Sequence, residues 1–284
     1  CFIILTLVLF VVAYPLYWVI ISSISAPSAV SSGKVLLHPI GFTLKGYAEV
    51  FKNDQVMRGF LNSLIITFCG VMVNLIVTLP TSYALSRSNF SGKKPITIFY
   101  LITMFFGGGL IPTYLVIQRL QMLNTIWALI LPGCLSVYNM IVARTFFKSN
   151  ISEELYEAAE IDGCTQARFF FQIALPLSKA IIAILVLYYG VGHWNSYFSA
   201  LVYISDKAKY PLQLVLRNIL ITNQTALSQT ATTAAARAAL QEKQQLIDVM
   251  KYSLIIISSI PVLVMYPLVQ KHFVKGVMIG SMKG

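Results

Sequence analysis

The sequence predicts an all-α membrane protein with six transmembrane helices, and three observations support this. Hydrophobic residues fill 57% of the 284 positions, whereas charged residues fill only 11%, against about 25% in a soluble domain. Six blocks are apolar enough to cross a bilayer, which takes about 20 residues per helix. None alternates strictly like a barrel strand, so each block is interpreted as a helix. Together they form a single transmembrane domain over residues 1–284.

The blocks and their loops predict a topology. Three glycines at 107–109, followed by Pro112, predict a bend or break in the third helix, although close helix packing is an alternative reason for them. Six spans place both chain ends on one side, and the cluster Arg87, Lys93 and Lys94 favours that side as cytoplasmic. The predicted spans are residues 2–22, 59–85, 95–117, 126–147, 177–203 and 249–269.

A long segment, residues 204–248, lies on the outer face in this topology. From residue 222 onward it is rich in Ala, Gln and Thr. Ala and Gln favour helix, and the stretch is too polar to span a bilayer. We therefore expect an exposed helical excursion there.

Acidic residues are concentrated in one stretch between the fourth and fifth blocks. Five of the ten Asp and Glu residues fall within positions 153–162. Ser152 suits an N-cap, acids in the first turn suit the helix dipole, and Gly163 suits a left-handed helix stop. A second helix can begin after Thr165. Because such a segment cannot lie in lipid, residues 150–176 form either a docking element for a soluble partner or a solvated loop.

A motif favours docking. The order Glu157-Ala158-Ala159, three residues, Gly163, nine residues, Ile173-x-Leu175-Pro176 resembles the EAA motif of ABC importer permeases at every defining position. With the motif between the fourth and fifth spans, the whole chain resembles the MalG-like carbohydrate permeases. Three stretches further resemble the subgroup that imports complex oligosaccharides and polysaccharide fragments. They are "GGLIPTYLVI" (108–117), "NTIWALILPG" (124–133) and "VYNMIVARTFF" (137–147).

This resemblance implies a permease subunit of a binding-protein-dependent ABC importer, passing oligosaccharides inward by alternating access. The acidic helix would be a cytoplasmic coupling helix that docks into a cleft of an ATPase dimer, and the C-terminal tail would reach the dimer interface. The other implied partners are a second, MalF-like permease subunit and an extracytoplasmic sugar-binding protein. The location would be the bacterial cytoplasmic (inner) membrane, with both termini cytoplasmic. The implied contacts are Glu157, Ala158, Ala159, Asp162 and Gly163 in the helix, and Lys275, Gly276 and Gly280 in the tail.

Other chemistry is excluded or disfavoured. Neither Gly33-Lys34 nor Gly92-Lys93 has the upstream Gly of a phosphate-binding loop, so ATP and Mg belong to the partner and the chain is not itself an enzyme. The three histidines share no metal-ligand spacing, and the basic residues form no stripe for nucleic acid. An ion-coupled carrier or channel without an ATPase is the alternative, but such carriers usually need ionisable groups within the spans, which are nearly absent here.

Two polar clusters in the spans are candidates for a sugar pathway. Asn74 and Thr78 lie on one face of the second span, and the fifth span carries a group of polar and aromatic residues. Hydrogen bonds between helices and an interfacial aromatic belt are the alternative roles. The net charge of +11 is compatible with acidic uronide chains as cargo. The candidates in the fifth span are His193, Trp194, Asn195 and Tyr197.

The exit of the fifth span predicts an outer docking surface. In the family that this chain resembles, the region after the fifth span meets the sugar-binding protein. Residues 194–217 then form that surface, with Lys207, Lys209 and Arg217 as charged contacts.

Overall fold

The structure is a computed structural model that describes residues 2–226 and 234–281, with side chains for residues 2–221 and, apart from 243, 268 and 269, for residues 241–270. Helices dominate this part of the chain, and it contains no strand. The helices are α1 (Phe2–Ser23), α2 (Pro27–Ser31), α3 (Lys45–Lys52), α4 (Asp54–Ser86), α5 (Lys93–Phe105), α6 (Leu110–Arg119), α7 (Trp127–Ile130), α8 (Val137–Asn150), α9 (Glu153–Ile161), α10 (Gln166–Phe169), α11 (Leu175–Leu177), α12 (Lys179–Trp194), α13 (Tyr197–Tyr203), α14 (Leu212–Ala226) and α15 (Ala234–Ser281).

By its internal packing the chain divides into two compact units. The first consists of Cys1–Asn62 and Asp206–Pro261, and the second of Ser63–Ser205 and Val262–Gly284. The long helices α4 and α15 each contribute residues to both.

Three described helices are long and apolar enough on their own to cross a membrane, namely α1, α4 and the part of α15 over Gln244–Pro267. Three bent pairs of helices raise the count to as many as six if each pair is one span. The predicted break at the glycine run is confirmed, since α5 and α6 meet at 113° and Gly109 has a φ of +85°. Glycine tolerates this backbone conformation because it has no Cβ.

The fourth and fifth blocks are also bent, which the sequence analysis did not predict. The fourth bends by 52° between Gly133 and Val137, next to Pro132. In the fifth, α12 meets the preceding helix at 80° and ends at Trp194, so the predicted span 177–203 is not one continuous helix. A proline removes a backbone donor and favours such bends.

The first unit is built around the end of α1. The loop after α1 folds back, and the indole of Trp18 donates a hydrogen bond to the Val35 carbonyl at 2.8 Å. Ile21, Val30 and Val249 are buried together in this unit. Most side chains earlier in α1 are apolar and exposed, a pattern typical of a helix whose surroundings are lipid or a partner subunit.

The second unit has an aromatic core. Tyr83 at the end of α4 packs against Phe147 of α8 and against Phe169 and Phe170 in the acidic segment. The segment is therefore held by burial of its own aromatic residues. The chain after α10 continues as a π-helical turn over Phe170–Ala174.

Candidate coupling and pathway sites

The acidic helix α9 begins and ends as the sequence predicts. The Ser152 hydroxyl accepts a hydrogen bond from the Leu155 N–H, which caps the helix, and Thr165 caps α10 in the same way. Gly163 connects the two helices with a φ of +74°. These local signals make α9 and α10 a compact pair of helices joined by a tight turn.

Arg87, which follows the last residue of α4, binds the acidic helix α9. The Arg87 guanidinium lies 2.6 Å from a Glu153 carboxylate oxygen, and its central carbon lies 4.4 Å from the centroid of the Tyr156 ring. The other Glu153 oxygen accepts the Ser88 N–H at 3.1 Å. The ammonium of Lys93 in turn donates to the carbonyls of Arg87 and Ser88. A cation over an aromatic face and a charged hydrogen bond act together here.

The electrostatics of Glu153 follow from these contacts. Burial acts to raise the pKa of its carboxyl, but hydrogen bonds from Ser88 and the charges of Arg87 and Lys93 outweigh it. The pKa of Glu153 is therefore held below its usual value. Sequence reasoning used Arg87 only as a topological charge, and nothing local linked it to Glu153, which is 66 positions away.

The predicted coupling residues differ in exposure. Glu157, Ala158, Asp162 and Gly163 are exposed, whereas Ala159 is half-buried against the aromatic core. Ala159 therefore contributes to the core of the protein and is less available to a partner than the other four. Ile161, which the sequence analysis did not single out, is 87% exposed.

The pathway candidates on α4 are used in hydrogen bonds between helices. The Asn74 amide nitrogen donates to the carbonyls of Gly133 and Cys134, both at 2.8 Å, and the Asn74 amide oxygen lies 2.7 Å from His193 Nε2. Because the amide oxygen can only accept, His193 Nε2 is the donor in this hydrogen bond. Asn74 thus orients His193.

A second bond of this kind lies one turn along α4. The Thr78 hydroxyl is 2.7 Å from the Tyr189 hydroxyl, which also accepts the Ser136 N–H at 3.2 Å. Thr78 and Asn74 are fully buried. This is the alternative role that the sequence analysis left open for them.

His193 lies at the wall of a cavity in the second unit, with a volume of about 480 Å³. Hydroxyl, amide, imidazole and phenol groups line the cavity beside apolar ones, a combination that suits a polyhydroxylated ligand. Of the other candidates in the fifth span, Trp194 is only 2% exposed, and Asn195 and Tyr197 lie on the surface. The polar and aromatic lining residues are Ser136, Asn139, Tyr188, Tyr189, His193, Ser196, Ser199 and Tyr203.

The remaining predicted contacts are those to the binding protein and those of the C-terminal tail. Lys207 and Lys209 are exposed on a short 3₁₀ helix, and Arg217 is half-buried in α14. The tail residues Lys275, Gly276 and Gly280 fall within α15, but their side-chain positions are outside the described residues. Among the side chains that are described, no group of three His, Cys, Asp or Glu could hold a metal ion.

Curated relatives match nearly the whole chain. The polygalacturonan/rhamnogalacturonan transport system permease protein YtcP of Bacillus subtilis (strain 168) is 37% identical over 95% of this chain and 92% of its own length. A probable ABC transporter permease protein of the same organism, YurM, is 31% identical over 99% of this chain and 87% of its own.

The chain belongs to the carbohydrate permease family of ABC importers. No family model matches it. This permease also shares its fold with a chain of a solved bacterial ABC transporter involved in the import of the acidic polysaccharide alginate. That likeness has a TM-score of 0.85 and 28% identity, and covers 95% of the permease and 94% of the solved chain. This permease is accordingly a transport subunit rather than an enzyme.

Proposed function

We propose that this permease imports acidic oligosaccharides of the uronide type. Two matched proteins support the substrate class, since one is named for polygalacturonan and rhamnogalacturonan and the other for alginate. The observation within the chain that carries the proposal is the cavity beside His193. Its described lining includes hydroxyl, amide and aromatic groups but no Lys, Arg, Asp or Glu. Such a lining can hydrogen-bond and stack on sugar rings without holding the substrate tightly by an ion pair.

The acidic helix α9 has three features that suit docking to an ATPase. The helix α9 is charged and exposed, it begins at a capped end, and Arg87 fastens it to α4. We infer that α9 is the cytoplasmic coupling helix and that it docks into a cleft of the ATPase dimer through Glu157, Ala158, Asp162 and Gly163, with Ala159 supporting it from within.

The remaining architecture follows from the same inference. The six predicted spans, three of them bent, cross the inner membrane with both termini in the cytoplasm. Residues 1–284 act as one transmembrane domain, and a second permease subunit completes the pathway. ATP and Mg bind to the partner ATPase. The C-terminal tail reaches the ATPase dimer interface, and an extracytoplasmic binding protein delivers sugar to the outer face.

Affinity purification followed by reconstitution tests this proposal. A tag on this chain should recover a second permease and an ATPase pair, and proteoliposomes that also contain the binding protein should take up trigalacturonate when ATP is supplied. A neutral galactotriose is the matched substrate control, because a relative named for galactooligosaccharides is 30% identical. Uptake of the neutral sugar alone would overturn the substrate class. Transport by a homomer without an ATPase would overturn the mechanism.

A further inference from the structure

A cavity in the first compact unit has no role so far. Its volume is about 400 Å³, within the range of about 300–1,000 Å³ that is usual for small-ligand sites. The apolar side chains of Val215, Ile219 and Met250 line part of it, and polar groups line the rest. An apolar surface with a few polar groups is typical of a binding site rather than of a packing fault.

The amide of Asn53 is oriented by the start of α4. Its side-chain oxygen accepts the backbone N–H groups of Gln55 at 3.0 Å and of Val56 at 3.3 Å, so it caps the helix. The opposite end of the same amide is an NH₂ group, which can only donate. Asn53 lines the cavity, and because its oxygen is occupied by the helix start, its NH₂ group is the part of the amide left to donate to a ligand.

Lys207 lies on a turn that is held in place at several points. The Asp206 carboxylate accepts the Ala208 N–H at 2.9 Å. The Asn62 amide donates to the carbonyls of Ala208 at 2.8 Å and of Tyr210 at 3.1 Å. Both Lys207 and Tyr210 line the cavity, and its described lining includes no carboxylate. The one charged side chain in this described lining is therefore the Lys207 ammonium.

We propose that this cavity binds one carboxylated sugar unit of an acidic oligosaccharide. The Lys207 ammonium pairs with the carboxylate, and the amides of Asn53 and Asn218 donate to its oxygens or to ring hydroxyls. The apolar wall takes the C–H face of the ring. This inference rests on the proposed function, which supplies the acidic cargo and the outer location of the first unit's loops.

Direct binding to the purified complex tests the proposal without the binding protein. The complex is placed in nanodiscs of zwitterionic lipid, and the binding of trigalacturonate and of its methyl ester is measured by saturation-transfer NMR. Lys207→Gln should weaken binding of the free acid about fivefold or more, on the scale of a charged hydrogen bond, and should affect the ester much less. Asn53→Asp keeps the helix cap but adds a carboxylate to the cavity lining. It should therefore weaken binding of the free acid more than binding of the ester.

Lys52→Gln is the matched control. Lys52 is exposed, pairs with Glu49, and does not line the cavity. Equal losses for acid and ester, equal losses for Lys52→Gln and Lys207→Gln, or no binding by the unmodified complex would each overturn the inference. Failure of the proposed function is distinguishable, because it shows as absent uptake of trigalacturonate when the binding protein and ATP are present.

Discussion

The Arg87 guanidinium bonds the Glu153 carboxylate at 2.6 Å, and this contact links the C-terminal end of α4 to the first turn of the acidic helix. The arginine side chain is 13% exposed and that of the glutamate 42%. Arg87 also lies over Tyr156, so the attachment combines an ion pair with a cation–π contact. If α9 couples the permease to ATP hydrolysis, the contacts of Arg87 transmit part of the movement of α9 to α4.

Substitution of Arg87 should loosen the acidic helix without unfolding the protein. The screened ion pair and the cation–π contact together contribute about 1–2 kcal/mol, which is roughly a five- to thirtyfold change in an equilibrium. Arg87→Gln should raise amide hydrogen exchange in α9 and lower transport. Arg87→Lys should restore only part of both, because an ammonium lacks the planar fork of arginine. Arg168→Gln is the control, since Arg168 is exposed and its guanidinium donates to Gln172 within its own segment. Equal effects of Arg87→Gln and Arg168→Gln would contradict this role.

The attachment should also depend on pH. The folded-state pKa of Glu153 is lowered, so its stabilising effect is complete above the ordinary value near 4.5 and is lost as pH falls through the lowered value. Hydrogen exchange in α9, corrected for its intrinsic pH dependence, should therefore stay slow at mildly acidic pH and rise only below that point. Glu153→Gln should remove this step. Loss of protection well above pH 4.5 would assign the effect to another group.

Gly163 should be needed for its backbone conformation. Its φ is +74°, and a Cβ built there meets no atom within 4 Å. Gly163→Val should therefore cost about 1–2 kcal/mol from backbone strain alone. Transport should fall while membrane insertion persists. Gly163→Asn should be tolerated better, because asparagine visits the left-handed region more readily. Normal transport and ATPase coupling in Gly163→Val would refute the assignment.

Gly70 should be needed because His193 approaches it closely. A Cβ at Gly70 would lie 2.5 Å from His193 Nε2, which bonds Asn74. Gly70→Ala should displace the imidazole, lower the melting temperature of the complex and reduce uptake. At Gly192, one residue before His193, an added Cβ meets nothing within 4 Å. There, alanine should raise the melting temperature, because it favours helix by about 1 kcal/mol over glycine. Similar melting shifts in both variants would rule out the steric explanation.

The proposed outer docking surface, residues 194–217, should respond to charge reversal. Lys209→Glu and Arg217→Glu together should lower the ATPase rate stimulated by loaded binding protein towards the rate without it. Charge pairs at an interface rim act mainly on association, so raising the ionic strength should shrink the difference between variant and unmodified complex. Lys207 is left intact in this test because it lines the cavity in the first unit. If full stimulation persists at low salt, these residues do not contact the binding protein.

The sequence predicted the local features well. The caps and the turn of the acidic segment depend on neighbours three or fewer positions away, so a short stretch of sequence is enough to predict them. The residues concerned are Ser152, Gly163 and Thr165. The broken third block was also predicted, because three glycines leave the backbone unrestrained. The pairing of Asn74 with His193 was not, since 119 positions separate them and many partners could have satisfied either side chain. Arg87 and Glu153 were missed for the same reason. Exposure of Ile161 and burial of Trp194 depend on which helix packs where, which periodicity alone does not specify.

The two capped helices around Gly163 have a consequence for how the permease meets its ATPase. Their turn is set by hydroxyl caps and by a glycine within the segment itself, and Arg87 fastens it to α4. Preorganisation of this kind leaves little backbone entropy to lose upon complex formation. If α9 is the coupling helix, it should then associate as a rigid body, and its interface backbone should shift by about 1 Å or less between the free and assembled permease.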